Sequence, residues 1–372
     1  MAEEEEIENK PHIIIDNGTG YCKAGLNGEE GPRAVFPSCV GYPKYYSGMV
    51  GGDKKEYFVG ADAEAKRKVL KLNHPIDRGI VNNWDDMEKI WGHIFTNELH
   101  VVPEEHNVML TEVIMNPKEN REKMAQIMFE TFNIPGLYIA LQPSLVLYAS
   151  GKFTGFALEL GEGVSQFCPI LDGFQDPIKG ERIDFGGKDL SDYMAKILVD
   201  TGKRFTTVGE KMIAKTIKEK TCYVALDFQD EIKSVEPFDY ELPDGTHLII
   251  KDQRIRCPEI LFHSENNIAQ KCTDIIQKCY IDFRKDYYNC IILSGGNSMF
   301  NGLAERLTRE IKNLAPLSME EEIKVIAFPY RKFSTWIGGS ILSSISTFES
   351  MWITKAEYEE SGATIVHNKI FF

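Results

Sequence analysis

The sequence lacks the features that would place it in a membrane, in an oxidising compartment or on nucleic acid. No apolar run is long enough to cross a bilayer, since the longest, around Leu137 to Ala149, is interrupted by Gln142 and Pro143. The eight cysteines include no C-x-x-C pair and no Cys/His cluster with zinc spacing, so we expect reduced, buried thiols in a reducing compartment. Basic residues are outnumbered, because 42 Lys and Arg against 56 Asp and Glu give a net charge of −14, which argues against a general nucleic-acid-binding protein.

The start of the sequence is also unlike that of a secreted protein. Residues Met1 to Glu6 are mostly acidic, whereas a secretory signal begins with basic residues and turns apolar, so we expect no such signal. Of the 372 residues, 43% are apolar and 26% charged, which is ordinary for a globular protein of two or three domains. Collagen-like, low-complexity and wholly disordered classes are thereby excluded.

Strands and helices alternate along the chain, which predicts an α/β fold. The order of apolar strand, acid, glycine turn and second strand occurs at residues 12–26 and again at 156–171, which indicates an internal duplication. Strands are predicted over 12–16, 108–114, 156–160, 166–171 and 290–296. Helices are predicted over 85–99, 120–132, 187–198, 208–225, 268–285 and 302–314. Residues 21–41 indicate a hairpin or meander, residues 42–60 an exposed insertion, and residues 227–258 further strands and turns.

Three strand ends carry glycine turns, at residues 16–20, 159–163 and 294–297. No P-loop or G-x-G-x-x-G motif stands at a strand–helix junction, so neither of those nucleotide-binding classes is indicated. Glycine lets backbone N–H groups approach a phosphate, and the acids Asp16 and Glu159 could hold the water shell of a Mg²⁺ ion. Each turn taken alone is more simply an ordinary hairpin turn, and only their joint occurrence favours a bound polyphosphate.

Longer stretches of the sequence resemble the actin family along nearly the whole chain. The resemblance is specific because many motifs occur together and in order. They are Asp16-Asn-Gly-Thr-Gly20 with Cys22-Lys-Ala-Gly25, Pro32-Arg-Ala-Val-Phe-Pro37, Asn83-Trp-Asp-Asp-Met-Glu-Lys-Ile-Trp91, Asn120-Arg-Glu-Lys-Met124, Gln126-Ile-Met-Phe-Glu-Thr-Phe132, Ile217-Lys-Glu-Lys220, Tyr240-Glu-Leu-Pro-Asp-Gly245, Leu293-Ser-Gly-Gly296 and Trp336-Ile-Gly-Gly-Ser-Ile-Leu342.

The resemblance implies a duplicated ribonuclease-H-like fold of two lobes and four subdomains, the type shared with heat-shock chaperone ATPases and hexokinases. ATP or ADP with Mg²⁺ or Ca²⁺ would occupy a central cleft. The first lobe would comprise residues 1–149 and 338–372, with 37–73 as subdomain 2, and the second residues 150–337, with about 186–258 as subdomain 4.

The resemblance also implies the site residues, position by position. Asp16 and Glu159 would hold the metal ion through water. The catalytic residues would be Gln142, Gln166 and Glu159, with Gln142 orienting the attacking water. The remaining nucleotide contacts would be Gly18, Thr19, Gly20, Tyr21, Lys23, Gly161, Glu162, Gly163, Val164, Lys215, Lys218, Glu219, Gly296, Asn297, Met299, Phe300 and Lys332, with Tyr330 nearby. For Lys218 and Glu219, an exposed charged pair on a helix is the simpler interpretation without the resemblance.

The second glycine turn departs from the family pattern Asp-Ser-Gly-Asp-Gly-Val-Thr-His. Here the acids are Glu159 and Glu162, each one methylene longer, and Gln166 replaces a histidine that can relay a proton. Glutamine orients water but has no accessible pKa for base catalysis, and Pro143 stiffens the segment that follows Gln142. We therefore expect the protein to bind nucleotide but to hydrolyse ATP slowly or not at all, so that it would be a weak ATPase at most. The alternative is that other changes compensate for the altered turn and that hydrolysis is normal.

Two functions from different classes remain open. The first is a cytoskeletal filament protein of the cytoplasm, with the nucleus as a second location. It would self-associate and bind actin-binding proteins, but it would not bind nucleic acid directly or insert into a membrane. Its partner groove would be formed by Tyr148, Ile337, Ile341, Thr347, Phe348 and Met351. The second is a non-polymerising actin-related subunit of a chromatin, dynactin-like or ciliary complex, with ATP as a structural ligand. The segment 263–268 favours the second because it lacks the apolar plug of filament-forming actins.

Overall fold

The computed structural model describes residues 10–44, 55–175, 180–263 and 266–369. The chain forms two compact units, Met1–Ser150 with Thr335–Phe372, and Gly151–Ser334. The acidic leader and residues 264–265 of the plug segment lie outside the described residues. Each unit has its own apolar core, and the division into four subdomains stays a prediction.

Helices and strands alternate along the chain, as predicted. Up to Ser150 the elements are β1 (Ile13–Asn17), β2 (Tyr21–Leu26), β3 (Ala34–Pro37), β4 (Val40–Pro43), β5 (Phe58–Val59), α1 (Gly60–Ala65), β6 (Leu70–Asn73), β7 (Ile76–Asp77), β8 (Ile80–Val81), α2 (Trp84–His93), β9 (Val108–Glu112), α3 (Lys118–Gln126), β10 (Gly136–Leu141) and α4 (Gln142–Ala149). Between Gly151 and Ser334 they are β11 (Gly155–Leu160), β12 (Ser165–Leu171), β13 (Phe174–Gln175), β14 (Glu181–Ile183), α5 (Gly187–Ile197), α6 (Val208–Thr221), α7 (Phe228–Glu231), β15 (Phe238–Glu241), β16 (His247–Ile250), α8 (Gln253–Glu259), α9 (Ile268–Lys278), α10 (Ile281–Asn289), β17 (Ile291–Ser294), α11 (Leu303–Leu314) and β18 (Val325–Ile326). The chain ends with α12 (Ser334–Ser343), β19 (Ile353–Thr354), α13 (Lys355–Ser361) and α14 (Val366–Lys369).

The first unit is built on a six-stranded sheet in the order β19-β10-β9-β1-β2-β3. Strands β1, β9 and β10 run parallel, while β2 is antiparallel to β1. All residues of these three parallel strands are buried, so their sequences read as continuous apolar runs rather than as alternating patterns. Because a continuous apolar run shows no alternation, the sequence at 137–149 did not indicate that strand β10 ends and helix α4 begins within it.

The second unit repeats this arrangement. Its sheet has the order β13-β12-β11-β17-β18, with β14 also paired to β12. Strand β11 is antiparallel to β12 and parallel to β17, just as β1 is antiparallel to β2 and parallel to β9. Strand β17 is parallel to β18, just as β9 is parallel to β10. The repeated topology confirms the predicted duplicated α/β fold.

Most predicted elements are confirmed, and π-helical turns at Ile94–Leu99 and Ile127–Thr131 extend α2 and α3 to the predicted lengths. The single helix predicted over 268–285 is wrong, because Cys279 and Tyr280 take extended backbone with ψ of 163° and 139° and separate α9 from α10. Helix α6 ends at Thr221 rather than at 225. The region 227–258 contains the predicted strands and also the helices α7 and α8, which were not predicted.

Candidate functional site

The first glycine turn closes the hairpin of β1 and β2, and a buried ionic network anchors it. Asp16 pairs with Lys23 across the hairpin, and the Lys23 ammonium donates to Asp16 Oδ2 at 2.6 Å. The other carboxylate oxygen, Oδ1, accepts hydrogen bonds from the hydroxyl of Thr111 at 2.8 Å and the amide of Gln142 at 3.1 Å. Asp16 is thus held by three donors on β2, β9 and α4.

The carbonyl groups of this first turn are bound to the surrounding scaffold. Ser38 donates from its hydroxyl to the Gly18 carbonyl at 2.6 Å and from its N–H to the Gly20 carbonyl at 3.1 Å. Because the N–H and C=O of a trans peptide point in opposite directions, the N–H of Thr19 points away from Ser38. The Thr19 hydroxyl is held from another side, since it accepts the N–H of Gly79 at 2.9 Å.

Glycine is required in this turn by close packing. A β-carbon at Gly18 would lie 2.5 Å from the carbonyl oxygen of Tyr21, a backbone atom that cannot move away without opening the hairpin.

The second glycine turn closes the hairpin of β11 and β12 and lies against the N-terminus of α5. The Gly187 N–H donates to the Gly161 carbonyl at 3.0 Å, and the Lys188 N–H donates to the Glu162 carbonyl at 2.9 Å. The N–H groups of Glu162 and Gly163 therefore point away from α5, side by side. Successive amides aligned in this way form a concave site for an anion.

A carboxylate–amide pair occupies the place of the ion pair in this second hairpin. Glu159 pairs with Gln166 across β11 and β12, and the Gln166 amide donates to the Glu159 carboxylate at 2.9 Å. Both side chains are buried. This hydrogen bond fixes the orientation of the Gln166 side chain.

Helix α6 adds two lysines to the second turn. The Lys215 ammonium pairs with Glu162 at 3.0 Å, and the Lys218 ammonium donates to the carbonyl of Gly187 at 2.9 Å. Burial lowers the pKa of Lys218, and the nearby Glu162 carboxylate opposes that shift. Because Lys218 is only 2% exposed, the alternative of an exposed charged pair is wrong for Lys218, while Glu219 does lie exposed on α6.

The third glycine turn follows β17 and contacts the second. Gly295 has a φ of 86°, and a β-carbon there would lie 2.4 Å from the Leu160 carbonyl oxygen. Asn297 donates to the Gly161 carbonyl at 2.5 Å. Arg331 joins this turn to the segment that carries Tyr330 and Lys332, because its carbonyl accepts the N–H of Gly295 at 3.1 Å.

The structure gathers the predicted residues into one cluster in each unit. Those of the first unit are Asp16, Gly18, Thr19, Gly20, Tyr21, Lys23 and Gln142. Those of the second unit are Glu159, Gly161, Glu162, Gly163, Val164, Gln166, Lys215, Lys218, Gly296 and Asn297. Phe300 is instead buried in the second core, and Met299 is exposed at the end of the third turn.

The supporting residues were not predicted from sequence. Thr111, Ser38 and Gly79 hold the first turn, and Gly187 supports the second. Only the Gly186-Gly187 pair carried a sequence signal, since two glycines at the start of a predicted helix indicate close approach of another backbone. Thr111 and Ser38 are ordinary residues in their sequence context.

The donors suit a nucleotide phosphate better than a directly coordinated metal. Among residues 10–44, 55–175, 180–263 and 266–369, no three His, Cys, Asp or Glu side chains lie together as ligands of a metal ion. Single carboxylates beside aligned amides fit a cation that is held through water on a bound phosphate. All eight cysteines are free and buried, as predicted. None of the described helices is both long and apolar enough to span a bilayer.

Two units of the same topology, each with a glycine turn closing its first hairpin, define a duplicated ribonuclease-H-like protein. A family model described as Actin matches residues 7–371. The chain belongs to the actin family, as its sequence motifs predicted. Members of this family generally bind ATP or ADP with a divalent cation.

Proposed function

We propose that this actin-family protein binds ATP or ADP at the glycine turns that close its hairpins. The observation that carries the proposal is shared by both turns: carbonyl groups are bound to the scaffold, so that N–H groups point the other way. Lys23, Lys215 and Lys218 add positive charge beside the turns. Asp16 and Glu159 would hold Mg²⁺ or Ca²⁺ through water, and that cation would neutralise phosphate charge when bound.

Nucleotide binding is tested with a fluorescent ATP analogue and a matched pair of variants. We expect Lys218→Met to weaken binding about tenfold or more, because it removes a buried cation. Lys211→Met on the same helix should change binding little, because Lys211 is exposed and pairs with exposed Asp192 at 2.7 Å. Equal affinities of the two variants would refute the assignment of Lys218.

We also propose that ATP hydrolysis is slow. The Gln142 amide donates to Asp16 and to Thr111, which fixes the orientation of this side chain, and Gln142 would orient the attacking water. Gln166, held by Glu159, can accept a hydrogen bond from water but cannot take up its proton at neutral pH.

Phosphate release from ATP tests this proposal directly. The Gln166→His variant should release phosphate about tenfold or more faster than the natural chain, since acid–base catalysis typically contributes about 10²–10⁴-fold. Gln166→Asn is the matched control, because it keeps a neutral amide and should not accelerate release. A natural chain that hydrolyses ATP as fast as conventional actin would show that the altered turn is compensated.

Filament formation in the cytoskeleton is the role we propose for the nucleotide-bound protein. Tyr148, Ile337 and Met351 pack as half-buried residues on the first core beside buried Phe348, and Ile341 is 42% exposed. An apolar surface of this kind fits an amphipathic helix of a partner protein. Sedimentation with ATP and salt, followed by electron microscopy, should show filaments; their absence over a wide concentration range would favour the non-polymerising subunit instead.

A further inference from the structure

A dense run of positive charge lies on the small sheet of the first unit, although the whole chain has a net charge of −14. Four of the six residues 66–71 are Lys or Arg. Over residues 40–44 and 55–75 there are six Lys or Arg and three Asp or Glu, so this region is net positive. We call the group Lys44, Lys66, Arg67, Lys68 and Lys71 the basic surface.

Backbone pairing brings these residues together. The small sheet has the order β5-β4-β6, and Tyr42 of β4 pairs with Lys71 of β6. Lys44 follows β4, and its ammonium donates to the carbonyl of Lys68 at 3.2 Å. The Lys66 ammonium lies 3.9 Å from the centre of the Phe58 ring, which holds it at the surface.

The cations of the basic surface have no carboxylate partner among the residues that the structure describes. None of the five forms an ion pair there, and Lys44, Lys66, Lys68 and Lys71 are exposed. By contrast, Lys89 on the neighbouring helix α2 lies 3.7 Å from the Asp86 carboxylate. Like charges held close together repel each other, so an external anion would be attracted to this surface.

The strand beside these cations also offers backbone hydrogen bonds. Strand β6 is an edge of its sheet, paired with β4 on one side. The Lys44 N–H donates to the Val69 carbonyl at 3.0 Å, so residues 69, 71 and 73 face β4. The N–H and C=O of Leu72 therefore point to the outer edge, where an extended chain could pair with them.

We propose that the basic surface and the outer edge of β6 bind an extended acidic segment of a partner polypeptide. Carboxylates of the segment would meet the cations, and its backbone would pair with the edge of β6. The strand edge favours a polypeptide over an anionic lipid surface, because lipid headgroups cannot continue a sheet.

Fluorescence anisotropy with the full chain tests this binding. The probe is a labelled peptide of about twelve residues that alternates Glu and Thr, measured between about 50 and 200 mM salt. Lys68→Glu with Lys71→Glu should weaken binding about tenfold or more, and Lys68→Gln with Lys71→Gln should give an intermediate loss. Lys278→Glu with Lys324→Glu is the matched control, because it changes the net charge equally at exposed lysines of the second unit and should leave binding within about twofold.

Two further measurements test whether backbone pairing contributes to binding and whether the partner is a membrane rather than a polypeptide. A Glu-Thr peptide of the same length with every backbone amide N-methylated keeps the charge but has no N–H donor for strand pairing, so it should bind about threefold or more weakly. Equal loss of binding in the control variant would overturn the proposal, as would equal binding of the two peptides. Binding to vesicles with about one third phosphatidylserine, without binding to the Glu-Thr peptide, would overturn it in favour of a membrane.

Discussion

The two hairpins that carry the glycine turns have the same register but different chemistry. In the first, Asp16 faces Lys23 and binds its ammonium at 2.6 Å; in the second, Glu159 faces Gln166 and binds its amide at 2.9 Å. The first pair is ionic and the second joins a carboxylate to a neutral group. A duplicated fold thus keeps the positions of its pairs while the charge at those positions differs.

Strands β9 and β17, which lie next to the two hairpins, also differ in the polar groups that they place there. Thr111 of β9 donates to Asp16, whereas Ser294 of β17, which pairs with Glu159, donates to the carbonyl of Arg331 at 3.4 Å. The next residue is buried Glu112 in the first unit and Gly295 in the second. More charge is therefore buried behind the first turn than behind the second.

The largest expected effect comes from breaking the ionic pair of the first hairpin. Lys23→Met leaves the buried Asp16 carboxylate without its cation and should lower the free energy of unfolding by about 3–5 kcal/mol. Urea unfolding in one fixed buffer measures this. The control Lys211→Met removes an exposed pair and should cost about 0–1 kcal/mol; similar losses in the two variants would show that the buried pair has no special weight.

A second prediction concerns Glu112, which has no acidic counterpart in the second unit. Burial raises the pKa of Glu112 to about 7 from 4.5, although the nearby Arg121 guanidinium and the amide of Asn116 oppose the shift. The folded state therefore holds this proton more tightly than the unfolded state. The resulting stabilisation is present below about pH 4.5 and is lost as pH rises to about 7.

Unfolding of the natural chain and of Glu112→Gln between about pH 5.5 and 8 measures this effect. The free energy of unfolding of the natural chain should fall relative to the variant by about 2 kcal/mol over this range and level off above about pH 7. A constant difference across this pH range would contradict the prediction.

The carboxylate–amide pair of the second hairpin should contribute less than the ionic pair of the first. Gln166→Met leaves the Glu159 carboxylate without its amide donor and should cost about 1–3 kcal/mol. The same urea titration compares it with Lys23→Met. If Gln166→Met cost as much as Lys23→Met, the charge difference between the hairpins would not explain their stability.

The smallest difference is expected between two glycine substitutions. A β-carbon at Gly18 would meet a backbone oxygen at 2.5 Å, whereas at Gly187 it would meet side chains, the carboxylate end of Glu162 at 2.4 Å and the amide of Asn297 at 2.8 Å. Gly18→Ala should therefore weaken binding of the fluorescent nucleotide about tenfold more than Gly187→Ala, a difference of about 1.4 kcal/mol. The reverse order would show that the side chains of Glu162 and Asn297 cannot move away from this position.

The sequence predicted the glycine turns and the acids beside them, because these depend on local chain geometry. It also predicted α2, where Asn83 caps the helix and accepts the Asp86 N–H at 3.1 Å. It failed at Cys279 and Tyr280, since helical periodicity continues across two residues whose backbone is extended. It also missed strand β10, because burial on both faces removes the alternation that marks a strand.

By itself, then, the sequence determined the family, the duplicated order of strands and turns, and the substitution of Glu159 and Gln166 in the second turn. Only the tertiary structure decided that Gln166 binds Glu159, that Thr111 supports Asp16, and that Lys218 is buried rather than exposed. The physical reason is that hydrogen bonds and burial join residues far apart in the chain. Local patterns specify where a strand ends, whereas packing specifies which side chains meet there.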